Sequence, residues 1–318
     1  MASRRDRSTT ALRPLALSQG LLSRADGSAQ FSFGDVAVLG AVTGPAEVRI
    51  RDELVDRATL EINVRPLRGQ GGPGTRAIEA TLASLLTPLI LLHLYPRALL
   101  QLTLQTISAP STAFSKPTST DPSLLSDDSA AADKGKATRA PRSPPRGVVT
   151  GAGERAATIN AAMMAFVDAG VQCRGMLVAV AVAFLPRHRP NTRHENEDGE
   201  EMVLDPSPEE EDNATSTHVF AFSFGVGVGE TEGTCVSIDS VGTFSEDQLF
   251  DAQDLAQSAA QTVLAFIRKS VETKYGAESG PAPAVTRRAE STTEEEEKPM
   301  VDPSSSAEDD DDKVMIDA

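Results

Sequence analysis

Between Ala58 and Pro66 the chain reads ATLEINVRP, with Leu60, Ile62 and Val64 on one side and Glu61, Asn63 and Arg65 on the other. A period of two predicts a half-buried strand, closed by Pro66. The same alternation over Ala98–Ser108 puts Leu100, Leu102, Leu104 and Thr106 on one face. Two near-continuous apolar runs, VAVLGAV ending at Gly44-Pro45 and GMLVAVAVAF from Gly175, predict strands buried on both faces. MVLD, HVFAFSFGV and TCVSIDSVG predict three more. Leu21–Ser23 and Ala29–Phe33 flank RADG, where Asp26-Gly27 favours a hairpin turn.

Helical spacing governs three other segments. Ile78, Leu82, Leu85, Leu86, Leu89 and Leu92 predict a helix from about Thr75 to Tyr95, kinked at Pro88. Gly153–Gly170 is rich in Ala and Met, carries Ile159, Met163, Phe166 and Val167 on one stripe, and ends on Gly170 as a C-cap. Phe244–Tyr275 is opened by Ser245 with Gln248 three residues on, the pattern of a capping box. Two strand-rich halves, each holding a helix, indicate an α+β fold with at least one sheet packed on helices.

Composition trims the folded part of the 318 residues. Ser111–Arg146 and Ala277–Ala318 are poor in apolar residues and crowded with Ser, Pro or acid, so ordering them would recover too little burial; both are expected to be disordered. Residues 1–18, with Arg4, Arg5, Arg7 and Arg13, are expected to be a flexible basic N-terminus, and 186–201 an exposed loop. One domain, 19–276, remains, followed by an acidic tail, 277–318. The formal charge of −16 is concentrated in that tail and in residues 195–212, which hold ten acids and no Lys or Arg. The rest is near neutral and leaves room for a local basic channel. The longest apolar run, Leu82–Leu94, contains Pro88 and is too short to span a bilayer, so no membrane role is expected. Cys173 and Cys235 form no CxxC, which fits a reducing, intracellular setting.

The densest candidate chemistry lies in LDPSPEEEDNATSTHVF, where five carboxylates fall within the eight residues Asp205–Asp212. Residue type alone leaves a catalytic acid cluster, a divalent-metal cradle and a solvated turn all open. His93, His188, His194 and His218 show no metal spacing. GVGVGE (Gly225–Glu230) lacks the Gly-Lys-Ser/Thr and following helix of a nucleotide loop and is read as a hairpin turn.

Several stretches together resemble a known family. LLSRADGSAQFSFGDVAVLGAVTGPAEVRIRDELVDRATLEINVRP is similar to the N-terminal signature of RNase PH-like proteins. LYPRALLQLTLQ resembles their Pro-Arg-plus-strand segment, INAAMMAFVDAGV their central helix, and VLDP with its acids their later hairpin. The likeness spans Gln19–Tyr275 and is strongest to the RNase PH-like ring subunits of the eukaryotic RNA exosome.

That resemblance implies a duplicated βαβ-type fold with two sheets packed on central helices. It also implies a six-membered ring around an RNA channel. Active members use phosphate to cleave the 3′-terminal phosphodiester, and hold that phosphate in a Gly-Gly-Thr-Arg-Thr loop opening the central helix. The matching positions are Ala152, Gly153, Glu154, Arg155 and Ala156. Arg155 is kept, both threonines are gone, and Glu154 is expected to put a carboxylate in the anion's seat, so Gly153, Glu154 and Arg155 read as a vestigial phosphate loop. Active members also carry an essential Asp where Thr215–His218 stand here. Asp205 and Pro206 match turn residues, and Glu209–Asp212 are expected to form an exposed rim. Arg76 falls where relatives grip RNA, and with Arg65, Arg68 and Arg97 is expected to form a basic strip along phosphates.

The implied role is a non-catalytic subunit of the exosome core, supporting 3′-to-5′ RNA processing, rRNA maturation and RNA turnover, with no cofactor, no metal and no catalytic residue. Expected partners are other RNase PH-like ring subunits (one as a close heterodimer partner), RNA-binding cap subunits, catalytic exosome nucleases and single-stranded RNA. Expected locations are the nucleus, nucleolus and cytoplasm. The competing reading is a free-standing phosphorolytic or metal-dependent nuclease, active as a homodimer and using the acidic hairpin.

Overall fold

The structure, a computed structural model, describes residues 7–67, 71–110, 151–186, 200–225 and 232–278. Arg68, the 111–146 insert, His188, His194, most of GVGVGE and the acidic tail beyond 278 lie outside them. Strands β1 (Leu15–Gln19), β2 (Gly27–Phe33), β3 (Val36–Glu47), β4 (Thr59–Arg65) and β5 (Ala98–Ser108) form one sheet in the order β1-β2-β3-β5-β4. Helix α1 (Pro73–Leu86) carries the chain from β4 to β5, which pair in parallel, with Thr59 opposite Leu99 and Arg65 opposite Gln105. After α2 (Ala152–Asp168), strands β6 (Gly175–Pro186), β7 (Glu200–Leu204), β8 (Ser216–Gly225) and β9 (Thr234–Gly242) form an antiparallel sheet in the order β7-β6-β8-β9. A short helix, α3 (Pro208–Asn213), links β7 to β8, and α4 (Glu246–Glu278) follows β9.

Helix α2 is the centre of the fold. It contacts β2 and β3 of the first sheet and β6 and β8 of the second, while α4 packs on β6 and β8. A helix on one sheet would bury one stripe; α2 buries residues on every side, from Ala156 through Phe166, because sheets cover both its faces. Its alanines permit a close approach. A Cβ on Gly40 of β3 would stand 2.9 Å from the Ala161 carbonyl oxygen and 3.2 Å from the Ala165 Cβ. The fully buried Asn160 of α2 pairs with a single backbone unit: its Nδ2 donates to the Ala179 carbonyl (2.9 Å) and its Oδ1 accepts from the Ala179 N–H (2.7 Å). Strand β7 pairs only from Val182 onward, so Asn160 stands in for the missing neighbour at Ala179.

The predicted boundaries hold at β5 and β9, and the capping box of α4 is present: Ser245 N–H donates to Gln248 Oε1 at 2.8 Å and Gln248 N–H to Ser245 Oγ at 3.3 Å. Four expectations need correction. The helix does not run from Thr75 to Tyr95 through a kink at Pro88. It ends at Leu86, and Leu89, Ile90 and Leu92 enter the core from a turn, a bridge to Cys173 and a 3-10 turn. β3 continues through Gly44-Pro45 to Glu47. The first hairpin is β1–β2, with Leu17 opposite Phe31, and Leu21–Ser23 belongs to its loop. Finally, residues 7–18 are not a loose basic segment: β1 begins at Leu15, and Arg7 and Arg13 are both engaged by the second half of the chain. Among the described residues no helix is long and apolar enough to cross a membrane.

Candidate functional site

Helix α2 opens at Gly151 with extended backbone and no capping side chain of its own, so its first N–H groups need an outside acceptor. The acceptor comes from the acidic stretch. Asp205 turns the chain at a φ of +47°, and α3 starts on a capping box formed by Ser207 and Glu210. One helical turn then swings Glu211 inward. Its Oε1 accepts from Gly153 N–H (2.8 Å) and its Oε2 from Ala152 N–H (3.1 Å). Gly151 and Gly153 leave room for this contact: a Cβ on Gly151 would stand 2.3 Å from Glu211 Oε2, and one on Gly153 2.8 Å from Arg13 Nη2. The positive end of α2, the natural seat for an anion, is therefore filled by the protein's own carboxylate.

Asp205 has a different task. Buried to 2% side-chain exposure, it accepts from Arg13 N–H (2.8 Å), Arg13 Nε (2.9 Å) and Arg13 Nη2 (2.5 Å), while Arg7 donates to its carbonyl at 2.9 Å. The acidic cluster thus ties the N-terminal segment to the second sheet and caps the central helix. The expectation of an exposed rim over Glu209–Asp212 is corrected: Glu209 is exposed, but Glu211 is buried.

Glu154 does not sit in the anion's seat either. It points to the first sheet, where its Oε1 accepts from the buried Thr106 hydroxyl at 2.6 Å. Arg155 points the other way and forms an ion pair with Asp239 of β9, with only 11% of its side chain exposed. This pair lies at a cavity of about 270 Å³ whose walls are otherwise largely apolar: Ile78 and Leu82 of α1, Ile159, and Val219 and Ala221 of β8. Strand alternation puts Thr217 on the same face of β8 as Val219 and Ala221. It is buried and carries no charge. His218, on the opposite face, bonds Ser216 Oγ (3.0 Å) and Ser240 Oγ (2.7 Å) and packs edge-on to Phe184 and Phe244. Burial lowers its pKa, favouring the neutral ring. Among the described residues no three His, Cys, Asp or Glu side chains cluster so as to hold a metal.

Burial pushes Glu154 and Glu211 above the usual carboxylate range, against the hydrogen bonds each receives. The folded state then retains protons that the unfolded chain has released. Each group's contribution is fully present below the ordinary carboxylate pKa and is lost as pH rises through the higher folded value. Urea unfolding from mildly acidic to neutral pH should therefore show the wild type losing stability relative to Glu154→Gln as pH rises. A constant difference between the two curves would refute the assignment.

Of the four expected RNA-facing arginines, Arg68 lies outside the described residues, and Arg65, Arg76 and Arg97 do not form one strip. Arg65 ends β4 and Arg76 lies in the first turn of α1, so these two share one end of the first sheet and both are exposed. Arg97 precedes β5 at the other end, eight residues before Gln105, the partner of Arg65, or roughly 26 Å along the strand. It has a φ of +58° and pairs with Glu53 at 3.4 Å. Asp239 was missed altogether: its alternation in TCVSIDSVG is legible, but its partner follows only once the second sheet lies over α2.

Residues 11–172 match the 3′ exoribonuclease family, domain 1, and residues 175–259 match domain 2 of the same family. The chain belongs to this 3′ exoribonuclease, or RNase PH, family. Its domain seam falls at Cys173–Arg174, where Ile90 bridges to Cys173. The chain is 30% identical over 253 residues to the exosome complex component RRP46 of Saccharomyces cerevisiae, covering 80% of this chain and 93% of that protein. It is 26% identical over 273 residues to the exosome complex component Rrp41 of Thermococcus kodakarensis, covering 83% and 86%. The crystal structure of rice (Oryza sativa) Rrp46 superposes with a TM-score of 0.61 at 22% identity, over 85% of this chain and all of that one, which bears out the RNase PH fold.

Proposed function

We propose that this chain is a non-catalytic subunit of an RNA exosome ring, helping to form the path of single-stranded RNA while other subunits cut it. One observation carries the reading: both elements that would hold phosphate are occupied from within, the α2 amides by Glu211 and Arg155 by Asp239. A phosphate entering there would face two carboxylates, and a single like-charge pair at 4 Å costs roughly 4 kcal/mol at an effective dielectric near 20. The uncharged Thr217 on the cavity-facing side of β8 is consistent with the missing carboxylate of active relatives. The exosome names of the relatives support the ring assignment. Expected partners are further RNase PH-like ring subunits, RNA-binding cap proteins and exosome nucleases, met in nucleus, nucleolus and cytoplasm.

The recombinant chain, given single-stranded RNA and phosphate, should release no nucleoside diphosphate, and affinity purification should recover the other ring subunits. Robust release that disappears in Arg155→Ala would overturn the proposal. The homodimeric nuclease would need Asp205 for chemistry, but that carboxylate is already fully engaged by Arg13.

A further inference from the structure

A second hollow lies away from the Arg155 cavity, beyond the other end of α1. The first cavity is lined by α1 from Gly74 to Leu82 and the second begins at Thr87, so their centres lie roughly 13 Å apart along the helix. It is open, of about 300 Å³, with Ile90 and Leu92 among its lining and Arg57, His93 and Arg174 around them. Both apolar residues are buried and provide a fixed floor. Arg57, His93 and Arg174 come from three separate segments: the loop before β4, the turn after α1 and the seam between the domains. Backbone hydrogen bonds lock those segments together. Arg174 N–H donates to Leu89 O (2.8 Å), Leu91 N–H to Gln172 O (3.0 Å), and Ala58 N–H to Leu92 O (3.0 Å).

The charges are little used by the protein itself. The Arg174 side chain has no ion-pair or hydrogen-bond partner among the described residues. Among the described residues Arg57 pairs only with its neighbour Asp56, at 3.9 Å with both side chains more than half exposed, a contact worth almost nothing. Two terms oppose an anion here: Asp56 on the rim, and the negative end of α1. The second is blunted, because Ala83 O accepts from both the N–H and the hydroxyl of Thr87, and Leu86 O accepts from the N–H groups of Leu89 and Ile90. Two guanidinium groups outweigh what remains.

From this convergence we infer that the hollow is a phosphate-binding site for the backbone of single-stranded RNA, engaging a phosphate outside the Arg155 cavity. The inference rests on the RNA-guiding reading and adds its contact point. Guanidinium forks match phosphate oxygens two at a time, and donors from three directions suit a tetrahedral anion better than a flat carboxylate. Contacts to backbone phosphate carry no sequence information, so binding is independent of sequence.

The test is fluorescence anisotropy of a labelled single-stranded RNA of about 20 nucleotides on the full chain, from 50 to 200 mM salt. Arg57→Gln/Arg174→Gln should weaken binding roughly threefold to tenfold for any sequence, and lower the slope of log K against log salt by about 0.7, for the one phosphate charge given up. Asp56→Asn should tighten binding. Both arginines are exposed, so the double variant should melt like the wild type. If the wild type binds RNA and the double variant binds it equally with the same slope, the hollow is overturned while RNA guiding stands. If the wild type binds no RNA, both fall. RNA binding unchanged by the double variant, with loss only of stabilisation by inorganic phosphate or of poly-glutamate binding, would mean a free-phosphate or acidic-peptide site and overturn the RNA assignment.

Discussion

Arg13→Met should lower the unfolding free energy by about 3–5 kcal/mol, measured by urea denaturation at neutral pH. The reason lies at the other end of the sequence distance, at Asp205. Three donors of Arg13 converge on that carboxylate, which has 2% side-chain exposure and sits at the turn that launches α3. With the guanidinium gone, a nearly dry anion keeps one backbone N–H and the more distant Arg7, whose Nη1 lies 3.6 Å away. Removing one partner of a buried pair is far worse than removing both, so adding Asp205→Asn to Arg13→Met should restore at least 2 kcal/mol. A loss below 1 kcal/mol in the single variant, or no recovery in the double, would show that the clamp contributes little.

This clamp also explains what was and was not legible in the sequence. β5 and β9 could be read directly because their alternation is long and uninterrupted, and α4 because Ser245 and Gln248 are local partners. β1 escaped because only Leu15 and Leu17 mark its inner side, half-buried at a sheet edge and next to Arg7 and Arg13. Those arginines looked like a solvated leader; their acceptor lies 192 residues away from Arg13. The helix α1 was read too long because Leu89, Ile90 and Leu92 continue its apolar rhythm, although Pro88 cannot continue its hydrogen bonds. At the site, the loss of the threonines and of the essential Asp was visible in residue identities. The occupant of the anion seat was not: Glu154 is adjacent in sequence and was the obvious suspect, whereas Glu211 arrives from 58 residues beyond Gly153. Short-range patterns carry strands, helices and caps; contacts between charges on distant segments depend on how the two sheets close on α2. Arg57, His93 and Arg174 are hidden for the same reason.

Glu211→Ala should cost about 2–4 kcal/mol, because it strips the acceptor from two buried N–H groups and removes the negative charge from the positive end of α2. The same change vacates the anion seat, and this second consequence separates a structural carboxylate from an occupant of a phosphate site. In the wild type, phosphate has nowhere to bind at α2, so the melting temperature should not respond to it beyond the effect of equal ionic strength. In Glu211→Ala the exposed amides, with Arg13 close by, offer an anion two donors and a positive field. Phosphate at ten times its dissociation constant would return about 1.4 kcal/mol through linkage. Melting curves of both proteins across a phosphate titration, with chloride as the control salt, give the answer. Equal responses in the two would mean that Glu211 does not compete for the anion's place, and the principal support for a non-catalytic subunit would be lost. On the proposed reading the variant, like the wild type, should release no nucleoside diphosphate, since Arg155 remains held by Asp239 and Thr217 carries no carboxylate.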